Sequence, residues 1–329
     1  MGIVVVLGSL ITDMVARAPR LPYAGESLPG SDFAMVLGGK GINQAIMASH
    51  LEARVILVGR VGTDTFGDAF FSVLQKEGID STYIERDSTI GTGVSLVVIA
   101  ENNAQNFIVA TPRANMAVSV SSVETALRVA DERKGQPDEP LIFLCQCETS
   151  RVSYTAGLRL ARELGMTTML NAAPIPREPL SEDLWPCVDI LVVNEVEASS
   201  LAQMPVRSIE SAQEAAEVLL KHGLKHVLIT LGAQGSLWST YREAGLKPEP
   251  EYVHQEIPPF LVNAIDTTAA GDAFCGALAA SLASRLPMEQ ALRYATAASA
   301  ITVTRKGALA ALPTASEVEE FLQHTNQYN

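Results

Sequence analysis

Ile3-Val4-Val5-Val6-Leu7-Gly8 opens the chain, and its reading decides the fold. Five apolar, mostly β-branched residues ended by a glycine describe a strand buried on both faces. Such a strand belongs to a parallel sheet covered by helices, and the following segments supply them. Residues 39–53 place Ile42, Ala45, Ile46 and Ser49 at helical spacing. Residues 55–58 form a second buried strand that stops at Gly59. Residues 66–78 carry Phe66, Phe70, Val73 and Leu74 on one helical stripe, with Gly78 as terminator. Strand, helix, strand, helix is the rhythm of a parallel sheet with crossover helices. It resumes after Ser121, with strands predicted at 141–145, 167–170, 190–193 and 227–230. Helices are predicted at 152–164, 195–201, 209–222, 270–283, 288–304 and 318–323, and antiparallel edge strands at 235–241 and 251–254.

Two segments break this rhythm. Pro19, Pro22, Gly25, Pro29 and Gly30 forbid a long helix between Leu10 and Gly38. Between Gly91 and Ala110, Val94, Leu96 and Val98 alternate up to a polar turn at 101–103, followed by Phe107 and Val109, as in a hairpin. The two excursions are predicted to pair as a small sheet that covers something, because a unit of that size lacks its own core. The fold expected is α/β, a central mostly parallel sheet flanked by helices with a small β-sheet lid. Residues 1–10, 39–90 and 112–329 make the body, and 11–38 and 91–111 the lid. Residues 131–140 read as a solvated loop.

The chain has 329 residues, 37 acidic against 24 basic, and 47% are hydrophobic. That length builds a substantial core without disulfides or a structural metal. A net charge of −13 argues against a nucleic-acid partner, which would call for a basic stripe. No run of eighteen apolar residues is present to span a membrane. The first ten residues lack the basic start and cleavage site of a signal peptide. Cys145, Cys147, Cys187 and Cys275 are expected to be buried reduced thiols of a cytoplasmic protein. His50, His222 and His226 read as packing or surface residues.

Three motifs carry chemistry. Asp266-Thr267-Thr268-Ala269-Ala270-Gly271-Asp272 precedes an apolar helix. Its small residues admit a ligand to free amides at a helix start, where the macrodipole favours an anion. Asp272 in the first turn can accept a proton from an attacking hydroxyl, or merely complement the dipole. Gly38-Gly39-Lys40-Gly41-Ile42-Asn43-Gln44-Ala45 begins another helix. It lacks the Ser or Thr of a Walker A loop. Lys40 and Asn43 offer donors to hydroxyls there, unless the segment is a plain capped turn. Asn194-Glu195-Val196-Glu197 follows an apolar strand, at the edge where α/β proteins bind ligands. Glu197 could hold a water of Mg²⁺, or be ordinary acidic bias at a helix start. No G-x-G-x-x-G follows the first strand, which disfavours a dinucleotide-dependent dehydrogenase.

Together these motifs resemble the ribokinase-like (PfkB) family of carbohydrate kinases. The two signatures, 38–45 and 266–274, stand in the family's order and separation, and the likeness runs from Val4 to Ala308 through Ile229-Thr230-Leu231-Gly232 and Val303-Thr304-Arg305-Lys306-Gly307. The resemblance implies an ATP-dependent kinase acting on the primary hydroxyl of a pentose, with D-ribose converted to D-ribose 5-phosphate. Deoxyribose, pseudouridine, another pentose or a hexose are the alternative acceptors, and a catalytically silent sugar sensor is the non-enzymatic alternative. Asp272 matches the base, and Ala269, Ala270 and Gly271 the anion hole. Asp13, Gly39, Lys40, Asn43 and Glu148 match sugar-binding positions. Asn194, Thr230, Gly232, Gly235 and Thr296 match the ATP side, with Glu197 reaching Mg²⁺ through water. Asp266, with carbonyls of Thr268, Thr302, Arg305 and Gly307, resembles a site for a monovalent cation, usually K⁺. Sugar and ATP are the partners implied, with dimerisation through the lids. Ile11 departs from the family pattern, standing where a sugar-contacting Asn is usual. So do Pro112-Arg113 in place of small residues, Thr296 in place of a His or Asn flanking adenine, and Ala311 in place of a Ser.

Overall fold

Ile3–Leu7 forms β1, and none of its side chains is more than 2% exposed. The computed structural model describes residues 2–102, 105–176, 178–242 and 251–326. After β1 come β2 (Ile11–Ala18), β3 (Asp32–Gly38), α1 (Lys40–His50), β4 (Arg54–Gly62), α2 (Thr65–Lys76) and β5 (Asp80–Asp87). The chain continues through β6 (Gly93–Ala100), β7 (Asn106–Thr111), α3 (Val120–Glu132), β8 (Leu141–Gln146), α4 (Arg151–Glu163) and β9 (Thr167–Asn171). Then follow β10 (Ile190–Asn194), α5 (Glu195–Leu201), α6 (Ile209–Leu220), β11 (His226–Thr230), β12 (Ser236–Arg242) and β13 (Glu251–Ile257). Helices α7 (Ala270–Ala283), α8 (Met288–Thr302) and α9 (Ala315–Asn326) complete it.

The main sheet has nine strands in the order β13-β12-β11-β10-β9-β8-β1-β4-β5. Pairing is parallel from β11 to β5 and antiparallel at the β12 and β13 edge. Successive β1 side chains serve opposite cores: Val4 and Val6 pack with residues of α1, α7 and α8, while Ile3, Val5 and Leu7 pack with those of α3 and α4. That double duty is why the strand carries no polar residue. The parallel strands end on one edge, with Leu7 opposite Cys145, Gln146 opposite Asn171 and Asn194 opposite Thr230. The strand order reverses beside β1, whose neighbours β4 and β8 lie on opposite sides. A ligand crevice forms at such a point, outside the carboxyl ends.

The two excursions do pair with each other. The second sheet runs β3-β2-β6-β7, with β2 and β6 parallel and the outer pairs antiparallel. Position 103 of the predicted turn lies outside the described residues. Paired residues share a face, so Asp13 lies beside Val36 and Ser95 on one face. The opposite face collects Phe33, Met35, Leu96, Phe107 and Val109, all exposed.

Some expectations need correcting. Neither β5 nor α3 was predicted. β5 pairs with β4 alone, and its charged sequence buries only Ile84 and Asp87, so no apolar run marks it. In α3, Val123, Ala126, Leu127 and Ala130 are buried at helical spacing behind a Ser119 cap, a signal diluted by two alanines. β4 does not stop at Gly59, because β5 gives Gly59 to Gly62 a pairing partner. The predicted loop at 131–140 loses Asp131 and Glu132 to the last turn of α3. All four cysteines are free thiols, yet only Cys145 and Cys275 are buried. Cys147 lies beyond the end of β8 and Cys187 in a single 3₁₀ turn, and both are only partly buried against the core.

The glycines at the first crossover meet backbone to backbone. A Cβ on Gly8 would stand 2.3 Å from the Gly41 Cα, and one on Gly41 would stand 2.4 Å from the Gly8 carbonyl carbon. The Ile42 amide donates to the Ser9 carbonyl at 3.2 Å, so α1 starts directly on the end of β1. Gly41→Ala is expected to cost about 1–3 kcal/mol, the usual penalty of overpacking. A wild-type denaturation midpoint in that variant would refute the contact.

Candidate active site

Helix α7 begins without a side-chain cap. Ala269, at the N-cap, holds a left-handed conformation with φ 60°, and the first intrahelical bond runs from the Ala273 amide to the Ala269 carbonyl. The amides of Gly271 and Asp272 precede that bond, at the positive end of the dipole. Asp272 itself is buried and points at α1. Its Oδ2 accepts from Asn43 Nδ2 at 2.8 Å and its Oδ1 from Gln44 Nε2 at 2.9 Å. Asn43 Oδ1 is buried and has no partner among the described residues, a free acceptor beside the carboxylate.

Lys40, at the first turn of α1, faces a set of carboxylates. Asp272, against the opposing effect of burial and with help from Glu148 and Glu197, pushes its ammonium up. Glu148 is pushed up by burial, against the pull of Lys40 and of the Ser9 hydroxyl that donates to it. The Lys40 amide reaches the same Glu148 oxygen at 3.2 Å, so Glu148 ties the end of β1 to the start of α1. Asp13 is also raised by burial, offset by the Ser95 hydroxyl bonded to it. A Cβ on Gly38 would stand 2.8 Å from Asp13 Oδ2, so a side chain there would displace the Asp13 carboxylate. Gly39, at φ 104°, turns the chain into α1.

A cavity of ≈ 350 Å³ opens on the other side of the α7 start. It is within the usual ligand-pocket range of ~300–1,000 Å³. Thr230, Gly232, Gly235 and Thr296 line it, together with Ala270 and Gly271 of the α7 start. Gly235 is required there, since a Cβ would fall 2.2 Å from the Ile257 carbonyl. Asn194 is not among the lining residues. It caps α5, accepting from the Val196 and Glu197 amides, while its own amide donates to Glu197 Oε2 at 2.9 Å. Glu197 is raised by burial and pulled down by that amide and by Lys40. Among the described residues no group of three or more His, Cys, Asp or Glu is placed to hold a metal, so Mg²⁺ would rely on phosphate oxygens and water, as it commonly does.

Asp266 joins two turns. Its Oδ1 accepts from the Thr268 amide and hydroxyl, at 3.0 and 2.6 Å, and its Oδ2 from the Gly307 amide at 2.9 Å. Burial pushes Asp266 up, but these donors outweigh it and hold the carboxyl below its ordinary range. Thr302 and Arg305 make no hydrogen bond to Asp266 among the described residues. The Thr302 carbonyl instead accepts from the Arg305 amide.

Several neighbours escaped the sequence reading. Pro259, Phe260, Leu261 and Phe274 give the cavity apolar walls. Gln44, Gln146 and Asn171 form a buried amide cluster behind Asp272. Gln146 and Asn171 are polar residues ending apolar strands at the binding edge, a signal that could have flagged both.

The pattern of the pfkB family carbohydrate kinases matches residues 1–315. Ribokinase of Haemophilus influenzae is 35% identical over 319 residues, covering 97% of this chain and 98% of that protein. Deoxyribokinase of Salmonella typhi is 31% identical, with 97% and 98% covered. The structure of Arabidopsis thaliana ribokinase complexed with ribose and ATP superposes with a TM-score of 0.82 at 29% identity, covering 98% of this chain and 98% of that one.

The buried Glu148 yields a pH prediction. Its native carboxyl keeps a proton to higher pH than the unfolded one, which titrates near ~4.3. Native stability is therefore lost as pH rises from that value through the native one. Glu148→Gln removes this loss, so the gain in Tm over the parent should be larger at pH 7.5 than at pH 4. Equal differences at both pH values would sink the assignment.

Proposed function

The chain belongs to the pfkB family of carbohydrate kinases, and from that membership we propose that it is an ATP-dependent ribokinase, making D-ribose 5-phosphate from D-ribose. The observation that carries this reading is the position of Asp272. It stands in the uncapped first turn of α7, with Asn43 and Lys40 on one side and the cavity bounded by Ala270 and Gly271 on the other. Asp13, Gly39, Lys40, Asn43 and Glu148 bind the sugar. Asn43 Oδ1, buried and free, accepts a hydrogen bond from a sugar hydroxyl. Thr230, Gly232, Gly235 and Thr296 receive ATP, with Asn194 and Glu197 on the phosphate side.

In the transfer, the Asp272 carboxylate accepts the proton of the primary hydroxyl as that oxygen bonds to the γ-phosphorus. The bond from that phosphorus to the oxygen of the leaving ADP breaks in line. The free amides of the α7 start and the helix dipole stabilise the charge on the phosphoryl oxygens. Mg²⁺, when bound through water at Glu197, supplies further neutralisation of phosphate charge.

One observation favours a second reading. Ile11 lines a cleft next to Glu148, together with Pro112, Met116 and Ile175, and so puts an apolar wall beside the sugar positions. A deoxy sugar would meet it without losing a hydroxyl partner, and a deoxyribokinase is among the relatives. The lid at 11–38 and 91–111, a homodimer built on it and a place in the cytoplasm are parts of the same proposal. The exposed face of Phe33, Met35, Leu96, Phe107 and Val109 supports the dimer, since a contiguous apolar patch on a surface marks an interface. Free thiols on all four cysteines agree with the cytoplasm.

ADP release from ATP and Mg²⁺ should be fastest with D-ribose in a panel that includes 2-deoxyribose, other pentoses, hexoses and nucleosides. Asp272→Asn should lower kcat by about 10² to 10⁴ with sugar binding kept. A drop below tenfold would remove the base. A monovalent cation at Asp266 and the carbonyls of Thr268, Thr302, Arg305 and Gly307 would brace the turn that carries the anion hole. K⁺ should then raise the rate, and equal rates in K⁺ and in a bulky organic cation would refute it. Phe107→Asp should turn a dimer into a monomer in sedimentation; a monomeric parent would end the lid-dimer proposal.

A further inference from the structure

Both oxygens of the Asp272 carboxylate are held by neutral amides, and one of those amides has its direction set from behind. The Val192 carbonyl, which can only accept, lies 3.1 Å from one end of the Asn171 amide. That end is therefore Nδ2, and Asn171 turns Oδ1 toward α1. Gln44 meets this Oδ1 at 3.1 Å and Asp272 Oδ1 at 2.9 Å, two acceptors that only its Nε2 can satisfy. Gln44 Oε1 is left facing β8, where Gln146 Nε2 donates to it at 2.7 Å. Gln44 and Gln146 are fully buried and Asn171 nearly so, which leaves water no access to replace any of them.

The structure assigns Gln44 as a positioning residue for the base: Val192 and Asn171 turn its N–H onto Asp272, and Gln146 locks its other end. The assignment rests on the reading of Asp272 as base and deepens it. A flipped Gln44 amide would set its oxygen against the carboxylate and swing the acceptor away from the sugar hydroxyl. Amide donors also orient the carboxylate without cancelling its charge, as a guanidinium partner would.

The test compares Gln44→Met, Gln146→Met and the double variant, with kcat, KM and calorimetric affinity measured for the best sugar of the panel. Gln44→Met should lower kcat by about 10- to 100-fold, the effect of a misplaced reacting group, with sugar affinity within about threefold. Gln146→Met does not touch Asp272, yet should lower kcat by about 3- to 10-fold, and cause no further loss in the Gln44→Met background. An unchanged kcat in Gln44→Met, a change in KM alone, or a Gln146→Met effect equally large in both backgrounds would overturn the assignment. If Gln44→Met does not fold, Gln146→Met decides by itself: a lower kcat at constant KM supports the role and an unchanged kcat overturns it. Asp272→Asn measured alongside separates the two readings. Full activity there removes the base itself, whereas an inactive Asp272→Asn with an unimpaired Gln44→Met overturns only the positioning.

Discussion

The contact on which the rest of the structure depends is the bare backbone approach of helix α1 to its neighbours. At its start, Gly41 touches Gly8 where no Cβ fits, which plants Lys40 and Asn43 at the carboxyl end of β1. Further along, a Cβ on Gly276 would stand 2.4 Å from the Gln44 carbonyl, so α7 lies directly on α1. Gly276 is one turn beyond Asp272 and therefore on the same side of α7. Two close approaches thus bring a lysine, two amides and a carboxylate from distant parts of the chain within hydrogen-bonding or Coulombic reach. A side chain at either glycine would separate the groups by more than a hydrogen bond tolerates.

That convergence carries an electrostatic cost. Lys40 faces Asp272, Glu148 and Glu197 in a region where burial raises both glutamates, and Asp13 on the second sheet is raised likewise. One cation does not balance this much acid in a low dielectric. The structure meets the excess with neutral donors: the Ser9 hydroxyl and Lys40 amide on Glu148, the Asn194 amide on Glu197, and Asn43 and Gln44 on Asp272. Such donors satisfy a buried carboxylate without the desolvation penalty of a second buried cation.

The two ends of the sheet contribute differently. Its parallel part ends in polar residues, Gln146, Asn171, Asn194 and Thr230; the register sets Gln146 opposite Asn171 and Asn194 opposite Thr230, while Asn171 itself stands opposite Val192. Its antiparallel edge and the loop after it form the apolar cavity, where Phe260 packs edge-on against Phe321 of α9 and under Arg293. The second sheet adds Asp13 on one face and an exposed apolar patch on the other, the alternation of a strand turned to two uses.

Local sequence by itself determined the elements whose partners are helices on both faces, since their apolar runs admit no other placement. β1 and β8 to β11 are legible for that reason, as are α7 and the Gly-rich start of α1. The edge strand β5 was not, because one-sided pairing imposes no hydrophobic pattern on Asp80–Asp87. Asp272, Lys40, Asn43, Glu197 and Glu148 could be named from motifs and resemblance, being polar groups at helix starts and strand ends. That Gln44 donates to Asp272, and that Asn171 and Gln146 decide which end of its amide does so, was settled only by tertiary structure. An amide's direction depends on which acceptors surround it, and those acceptors lie over a hundred residues away in sequence.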